Sequence, residues 1–250
     1  MENMNKTAII TGSSTGLGLA ITEKFLDNGF NVVMNSITES NLQAAYERLG
    51  KPENAALVVG DVSDRDVGAK LVAVAVQQFG GVDVLINNAG IFRPIPFLDT
   101  SEVDLDRFFA VNLKGSYFVA QAVVPQMKKR GGGSIINIGT TLITHAIGGF
   151  PASAALASKA AVHSLTEQLA AELGKDNIRV ANVAPGIIDT PLHGKNGIDD
   201  PNALAGLHLL DRIGSPESVA DAVLMLARND FITGETIRVD GGHSAGHYFG

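Results

Sequence analysis

The feature that most limits what this chain can fold into is a regular alternation of short, unbroken apolar runs with longer helical patterns. The apolar runs fall at 7–11, 31–34, 55–59, 82–86, 134–138, 178–183 and 236–239. Apolar residues in them do not alternate with polar ones, which marks strands covered on both faces. Helical patterns lie between the runs, near 17–28, 39–49, 64–79, 101–130, 152–173 and 216–227. The last carries its own start signal, with Ser215 as a cap, Pro216 in the first turn and Glu217 placed against the helix dipole. Strand and helix repeated in this way predict a Rossmann-type doubly wound α/β fold. It would hold a parallel sheet of about seven strands with helices on both faces. No Pro/Ser-rich linker, repeat or low-complexity segment interrupts the pattern, so residues 1–250 are expected to form one domain.

Size and composition agree with that expectation. A chain of 250 residues can bury about 70–75% of its unfolded surface around one core. Cysteine is absent, which excludes disulfides and thiolate chemistry without identifying a compartment. The net charge of −7 argues against a nucleic-acid partner. The one basic run, Lys128-Lys129-Arg130, stands just before Gly131-Gly132-Gly133, where cations favour the negative end of a helix. No stretch approaches the roughly 20 apolar residues of a membrane span. The opening residues lack a basic segment followed by an apolar one, so no membrane is expected and the cytoplasm is the expected compartment.

The first apolar run leads into Thr11-Gly12-Ser13-Ser14-Thr15-Gly16-Leu17-Gly18. Glycines between a first strand and a first helix let the backbone approach a dinucleotide pyrophosphate, and the helix start offers free N–H groups to the anion. At the end of the second strand a carboxylate would bind the ribose hydroxyls of NAD, and an Arg would accept the 2′-phosphate of NADP. That place falls on Asn35-Ser36-Ile37, which has neither. Without a carboxylate to repel a phosphate, and with the hydroxyls of Ser13, Ser36 and Thr38 near it, NADP(H) is favoured over NAD(H).

The spacing of this turn, Thr-Gly-x-x-x-Gly-x-Gly, resembles that of the short-chain dehydrogenase/reductase family, and the resemblance extends in order from residue 7 to residue 242. Asp61-Val62 matches the family's adenine contact, and Asn87-Asn88-Ala89-Gly90 follows the fourth strand. Pro185-Gly186, with Ile188 and Thr190, matches the segment that holds the nicotinamide, and Asp240-Gly241-Gly242 ends the last strand. Asn112 matches an asparagine that holds a water in the proton path. Lys159, in Ala157-Ser158-Lys159, matches the lysine that binds the ribose. The family's serine, which orients the substrate carbonyl, is matched by Thr140, with Thr141 next.

The family's proton donor, a tyrosine four residues before the lysine, is missing: Ala155 stands there. None of the three tyrosines can slide into its place. Tyr46 lies on an early helix, Tyr117 reads as core packing, and Tyr248 is in the tail, within possible reach of a neighbouring subunit. Adding a tyrosine at 155 is expected to raise activity if the site is merely disabled, and to lower it if the pocket is built around another donor. His145, five residues past Thr140, has the ordinary pKa best suited to replace the donor at neutral pH. His163 reads as packing at a subunit contact. His193 and His208 fall in the 190–212 segment expected to cover substrate, and His243 and His247 read as tail. No metal is expected.

The resemblance implies a carbonyl reductase or alcohol dehydrogenase using NADP(H) on a small or medium carbonyl or alcohol substrate, in a homotetramer or homodimer. The alternatives are a non-catalytic NAD(P)-binding sensor or scaffold of the same fold, or an engineered tyrosine variant.

Overall fold

A computed structural model describes residues 5–195, 200–246 and 248, without the side chains of His193 and Lys195. Its strands are β1 (Thr7–Ile10), β2 (Asn31–Ser36), β3 (Ala55–Val59), β4 (Val84–Asn87), β5 (Gly133–Ile138), β6 (Ile178–Pro185) and β7 (Thr236–Val239). They form one seven-stranded sheet in the order β3-β2-β1-β4-β5-β6-β7. Every neighbouring pair is parallel. The order reverses between β1 and β4, and in such sheets the crevice beyond the strand ends at that point is where ligands bind.

The unbroken apolar runs are explained by burial on both faces. Ala8 and Ile10 of β1 join a core with Leu19, Phe25, Val219 and Val223, while Ile9 between them joins a second core with Val67, Leu71, Val119 and Val123. The first core is roofed by α1 (Gly16–Asp27) and α8 (Pro216–Arg228), the second by α3 (Arg65–Phe79) and α5 (Gly115–Lys129). The Ser215 cap forms as the sequence predicts, its hydroxyl accepting from Ser218 N–H. A short α2 (Glu39–Arg48) lies against β2 and β3.

The expected helix over 101–130 is broken. It divides into α4 (Glu102–Phe108), a π turn over Phe109–Lys114, and α5. The wide turn centres on Asn112, whose side chain is drawn into bonds with the loop after β4, while the Ser116 hydroxyl donates to the Asn112 carbonyl at 2.8 Å. Gly115 permits the close approach there, since a Cβ on it would lie 2.7 Å from Val62 Cγ2. The basic run does end α5, and it is paired: Lys128 with Asp176 and Arg130 with Asp83. Beyond β5, α6 (Ser153–Leu173) carries the lysine, and α7 (Leu192–Lys195) and a 3-10 segment (Pro201–Leu207) follow β6. Among the described residues no helix is long and apolar enough to cross a membrane.

Candidate functional site

One cleft runs along the strand ends, from Ser36 and Asp61 past Gly12 and Asn88 to Thr140, Lys159 and Gly186. Its floor is the glycine turn. Gly12 has φ +64°, and a Cβ on it would lie 2.8 Å from Ala89 Cα. A Cβ on Gly18 would lie 2.1 Å from the Gly12 carbonyl oxygen, which no adjustment of a flexible side chain could relieve. Gly16 faces Thr190 across the cleft, with 3.4 Å between the Thr190 Cβ and the place a Cβ would take. Asn88 locks the turn by donating its amide to the carbonyls of Thr11 and Gly12, and the Thr11 hydroxyl accepts from the N–H groups of Asn88 and Ala89. Thr15, the residue before α1, makes no side-chain cap, so the helix start has no side-chain acceptor of its own. Leu17 lines the same wall. A cradle with no room for a Cβ and an uncapped helix start fits a dinucleotide pyrophosphate.

At the far end of β2, Ser14 and Ser36 face each other with their hydroxyl oxygens 2.9 Å apart. Ser13 is not with them. It is fully buried, and its hydroxyl donates to Asn35 O and accepts from Asn35 N–H, so it cannot meet a phosphate. Asn35 in turn donates its amide to the carbonyls of Val58 and Gly60. Asp61 receives Ser63 through both N–H and hydroxyl, and Arg107 of α4 donates to its other oxygen at 2.9 Å. Burial alone would raise the Asp61 pKa, but these bonds outweigh it and hold the carboxyl below its ordinary value. Arg107 lines the cleft and went unseen in the sequence, 46 residues from its partner. Val62 and Gly90 complete this side.

At the other end Lys159, on α6, donates from Nζ to Ile138 O at 2.7 Å. A Cβ on Gly90 would sit 3.0 Å from this Nζ and 3.1 Å from Asn112 Oδ1, so the missing side chain lets the three residues meet. Burial pushes the Lys159 pKa down to about 8. Asn112 is buried; its amide donates to Ile91 O and to the Ser158 hydroxyl, and its carbonyl accepts from Ile91 N–H. Thr140, half-buried, lines the cleft and accepts from Leu142 N–H at 3.3 Å. Thr141 does not: it is buried and donates to Asp240. Burial would raise the Asp240 pKa as well, but bonds from Ser244, Thr141 and Gly242 hold it near 2. Pro185, Ile188 and Thr190 close the wall opposite. Ala155 is 1% exposed, in a small apolar cluster with Phe108 and Ala154 against which Ile91, Phe92 and Ile95 pack. The Phe92 ring lines the cleft and is stacked on Phe150.

The remaining candidates lie elsewhere. His145 does not line the cleft with Thr140 and Lys159; its ring meets that of His243. His243 is not tail but 1% exposed, and His208 is likewise buried rather than open to a substrate. His163 lies 3.0 Å from the Thr236 hydroxyl on its own chain. The His193 side chain and His247 lie outside the described residues. Tyr117 is 44% exposed, not core, and its ring meets Phe118 edge-on. Tyr46 donates to Pro52 O, and Tyr248 donates to Leu209 O of its own chain.

A family model described as enoyl-(acyl carrier protein) reductase matches residues 12–244. The chain is 39% identical to a 3-oxoacyl-[acyl-carrier-protein] reductase of Thermotoga maritima, over 97% of this chain and 99% of that one. It is 37% identical to an L-rhamnose 1-dehydrogenase (NAD(P)(+)) of a Sphingomonas species, over 95% of each. Among solved structures, a protein of the short-chain dehydrogenase/reductase family from Brucella melitensis superposes with a TM-score of 0.88 at 32% identity, covering 96% of each chain.

Proposed function

Since the chain belongs to the short-chain dehydrogenase/reductase family of NAD(P)-dependent oxidoreductases, we propose that it is a carbonyl reductase or alcohol dehydrogenase that favours NADP(H) and works without the family's tyrosine. The observation that carries this reading is one cleft that joins the glycine cradle to the Thr140 hydroxyl and Lys159, with the buried Asn112 beside its wall residue Gly90. A protein that only binds a dinucleotide would use Lys159 for the ribose but has no need of the Thr140 hydroxyl where a substrate oxygen would lie.

When bound, the nicotinamide supplies or accepts a hydride. Gly12, Gly16 and Gly18 hold the pyrophosphate, and the paired hydroxyls of Ser14 and Ser36 take the 2′-phosphate. Asp61 and Val62 border the adenine, with Arg107 fixing the Asp61 carboxylate. Thr140 donates to the substrate oxygen. Ala155 stands where the family has its tyrosine, and His145 is turned towards His243, so the proton is assigned to Lys159. An ammonium with a pKa near 8 is substantially protonated at neutral pH and releases a proton to an alkoxide far more readily than an ordinary lysine. Solvent then restores it. The substrate is a small or medium neutral carbonyl or alcohol; of the 190–212 segment expected to cover it, residues 196–199 lie outside the described residues. The working form is a cytoplasmic homotetramer or homodimer, a reading supported by the exposed Phe97, Leu98 and Val103 around the start of α4.

Calorimetric titration is expected to give saturable binding of both dinucleotides, with NADPH tighter than NADH. Failure of both to bind would remove the cofactor assignment, and tighter NADH would reverse the preference. The second reading, a cofactor-binding sensor, is favoured by Ala155 alone.

A further inference from the structure

Three histidines from distant parts of the chain meet beside the cleft. His145 follows the turn after β5, His208 follows the Pro201–Leu207 segment, and His243 follows β7. The His243 ring stands edge-on to both others, with centroids 5.3 Å from His145 and 5.4 Å from His208. His243 and His208 are 1% and 2% exposed, and among the described residues neither ring nitrogen of His243 has a hydrogen-bond partner. His208 does have partners. Its Nε2 accepts from Ile187 N–H at 3.1 Å, and its Nδ1 lies 3.3 Å from Ala205 O. A nitrogen that accepts an N–H bond carries no proton, and one facing a carbonyl carries one. His208 is therefore neutral, in a single tautomer.

The bond bears on the cleft because Ile187 lies between two of its wall residues, Gly186 and Ile188. Gly186 has no side chain where His208 Nε2 and Asp240 Cβ would each stand 3.0 Å from a Cβ. The strap that closes the cleft opposite Lys159 therefore rests on the edge of an imidazole. Protonating that edge would set two N–H donors against each other and add a buried charge.

The surroundings offer such a charge little support. The His243 ring meets that of His208, the His145 ring meets that of His243, and Arg212 and Arg238 line the adjoining cavity with His208. The carboxylate of Asp240, which pulls on His243, is engaged by Ser244, Thr141 and Gly242. His243 itself resists protonation: burial first, then His208 and His145, depress its pKa against the opposing pull of Asp240. A histidine depressed in this way contributes stability that is complete above the ordinary imidazole value of about 6.5 and declines as pH falls below it.

We infer that His208, in its neutral form, is a positioning residue for the 185–188 wall of the dinucleotide cleft, and that acid releases this wall. The inference rests on the oxidoreductase reading only for what the cleft holds. Amide hydrogen exchange of the peptide spanning Gly186–Ile188, corrected for the intrinsic rate, tests it at about pH 7.5 and about pH 5.5, on either side of the imidazole range. The intact protein is expected to lose roughly tenfold or more of its protection at the lower pH, the size of one lost hydrogen bond of about 1.4 kcal/mol. His208→Gln, whose amide oxygen can accept at both pH values, should remove the pH dependence, and His208→Phe should lower protection at both. Equal protection of the intact protein at the two pH values would overturn the proposal, as would an undiminished acid loss in His208→Gln. NADPH titrated in parallel should bind more weakly at the lower pH in the intact protein but not in His208→Gln. Affinity that is unchanged while protection falls would overturn the positioning role. No NADPH binding at either pH would instead remove the cofactor reading, and the exchange result would still decide whether His208 holds the wall.

Discussion

Lys159→Met is expected to lower turnover by about 10²–10⁴-fold, the range lost when a positioned general acid is removed, and to weaken NADPH binding as well. Methionine fills much the same space, so the loss would be chemical rather than one of packing. The variant lacks both the donor to Ile138 O and the only ammonium among the described residues that line the cleft. Lys159→Arg separates the two roles, because guanidinium keeps the charge and does not give up its proton at any working pH. In the parent, reduction should slow as pH rises through about 8, where Lys159 passes to its neutral form. In Lys159→Arg that limb should vanish while NADPH affinity stays within a few-fold of the parent. A parent pH–rate profile flat across that region would remove Lys159 as the proton source. Steady-state kinetics across the pH range, with turnover and KM separated, makes the distinction.

Ala155→Tyr is expected to destabilise the protein without restoring activity, against the simplest reading of the sequence. Position 155 lies one helical turn before Lys159, which would favour a phenolate there by charge. The position is not a hole, however. Its methyl is 1% exposed inside the cluster with Phe108, and Ile91, Phe92 and Ile95 pack on that cluster. A phenol has to displace these side chains, and overpacking of this kind costs about 1–3 kcal/mol. In a chain of this length that corresponds to a melting temperature lower by roughly 2–12 °C. Ala155→Tyr combined with Phe92→Ala makes room on the cleft side and should recover stability and raise turnover above the parent. If Ala155→Tyr alone melts with the parent and turns over faster, the site is a family site with one residue removed and nothing rebuilt around it.

How far the sequence discloses all this depends on where each partner lies in the chain. The strands are legible because burial on both faces leaves unbroken apolar runs, and the glycine cradle is legible because its residues are neighbours. Even the close contact of Gly18 with the Gly12 carbonyl arises within one turn. The break at Asn112 is not legible, since the groups that pull on it, Ile91 and Ser158, are 21 and 46 residues away. Arg107 belongs to the cleft only because α4 brings it over Asp61. Ser13 and Ser14 are alike in the sequence, yet one is tied to β2 and the other opens on Ser36. The histidines illustrate the limit most sharply. Ordinary pKa values single out His145 as a donor, and His208 and His243 read as lid and tail, but the fold brings all three rings together, edge to face.

The central claim, that the chain still transfers hydride without the family's tyrosine, is tested most directly by following the transferred atom. The protein is mixed with NADPH carrying deuterium at the transferable position and with a panel of small and medium ketones and aldehydes, and the alcohols are analysed by mass spectrometry. The account predicts deuterium in at least one alcohol, formed at a rate that falls by about 10²-fold or more in Lys159→Met. Saturable NADPH binding with no label in any product would contradict it and leave a protein that holds the dinucleotide without using it.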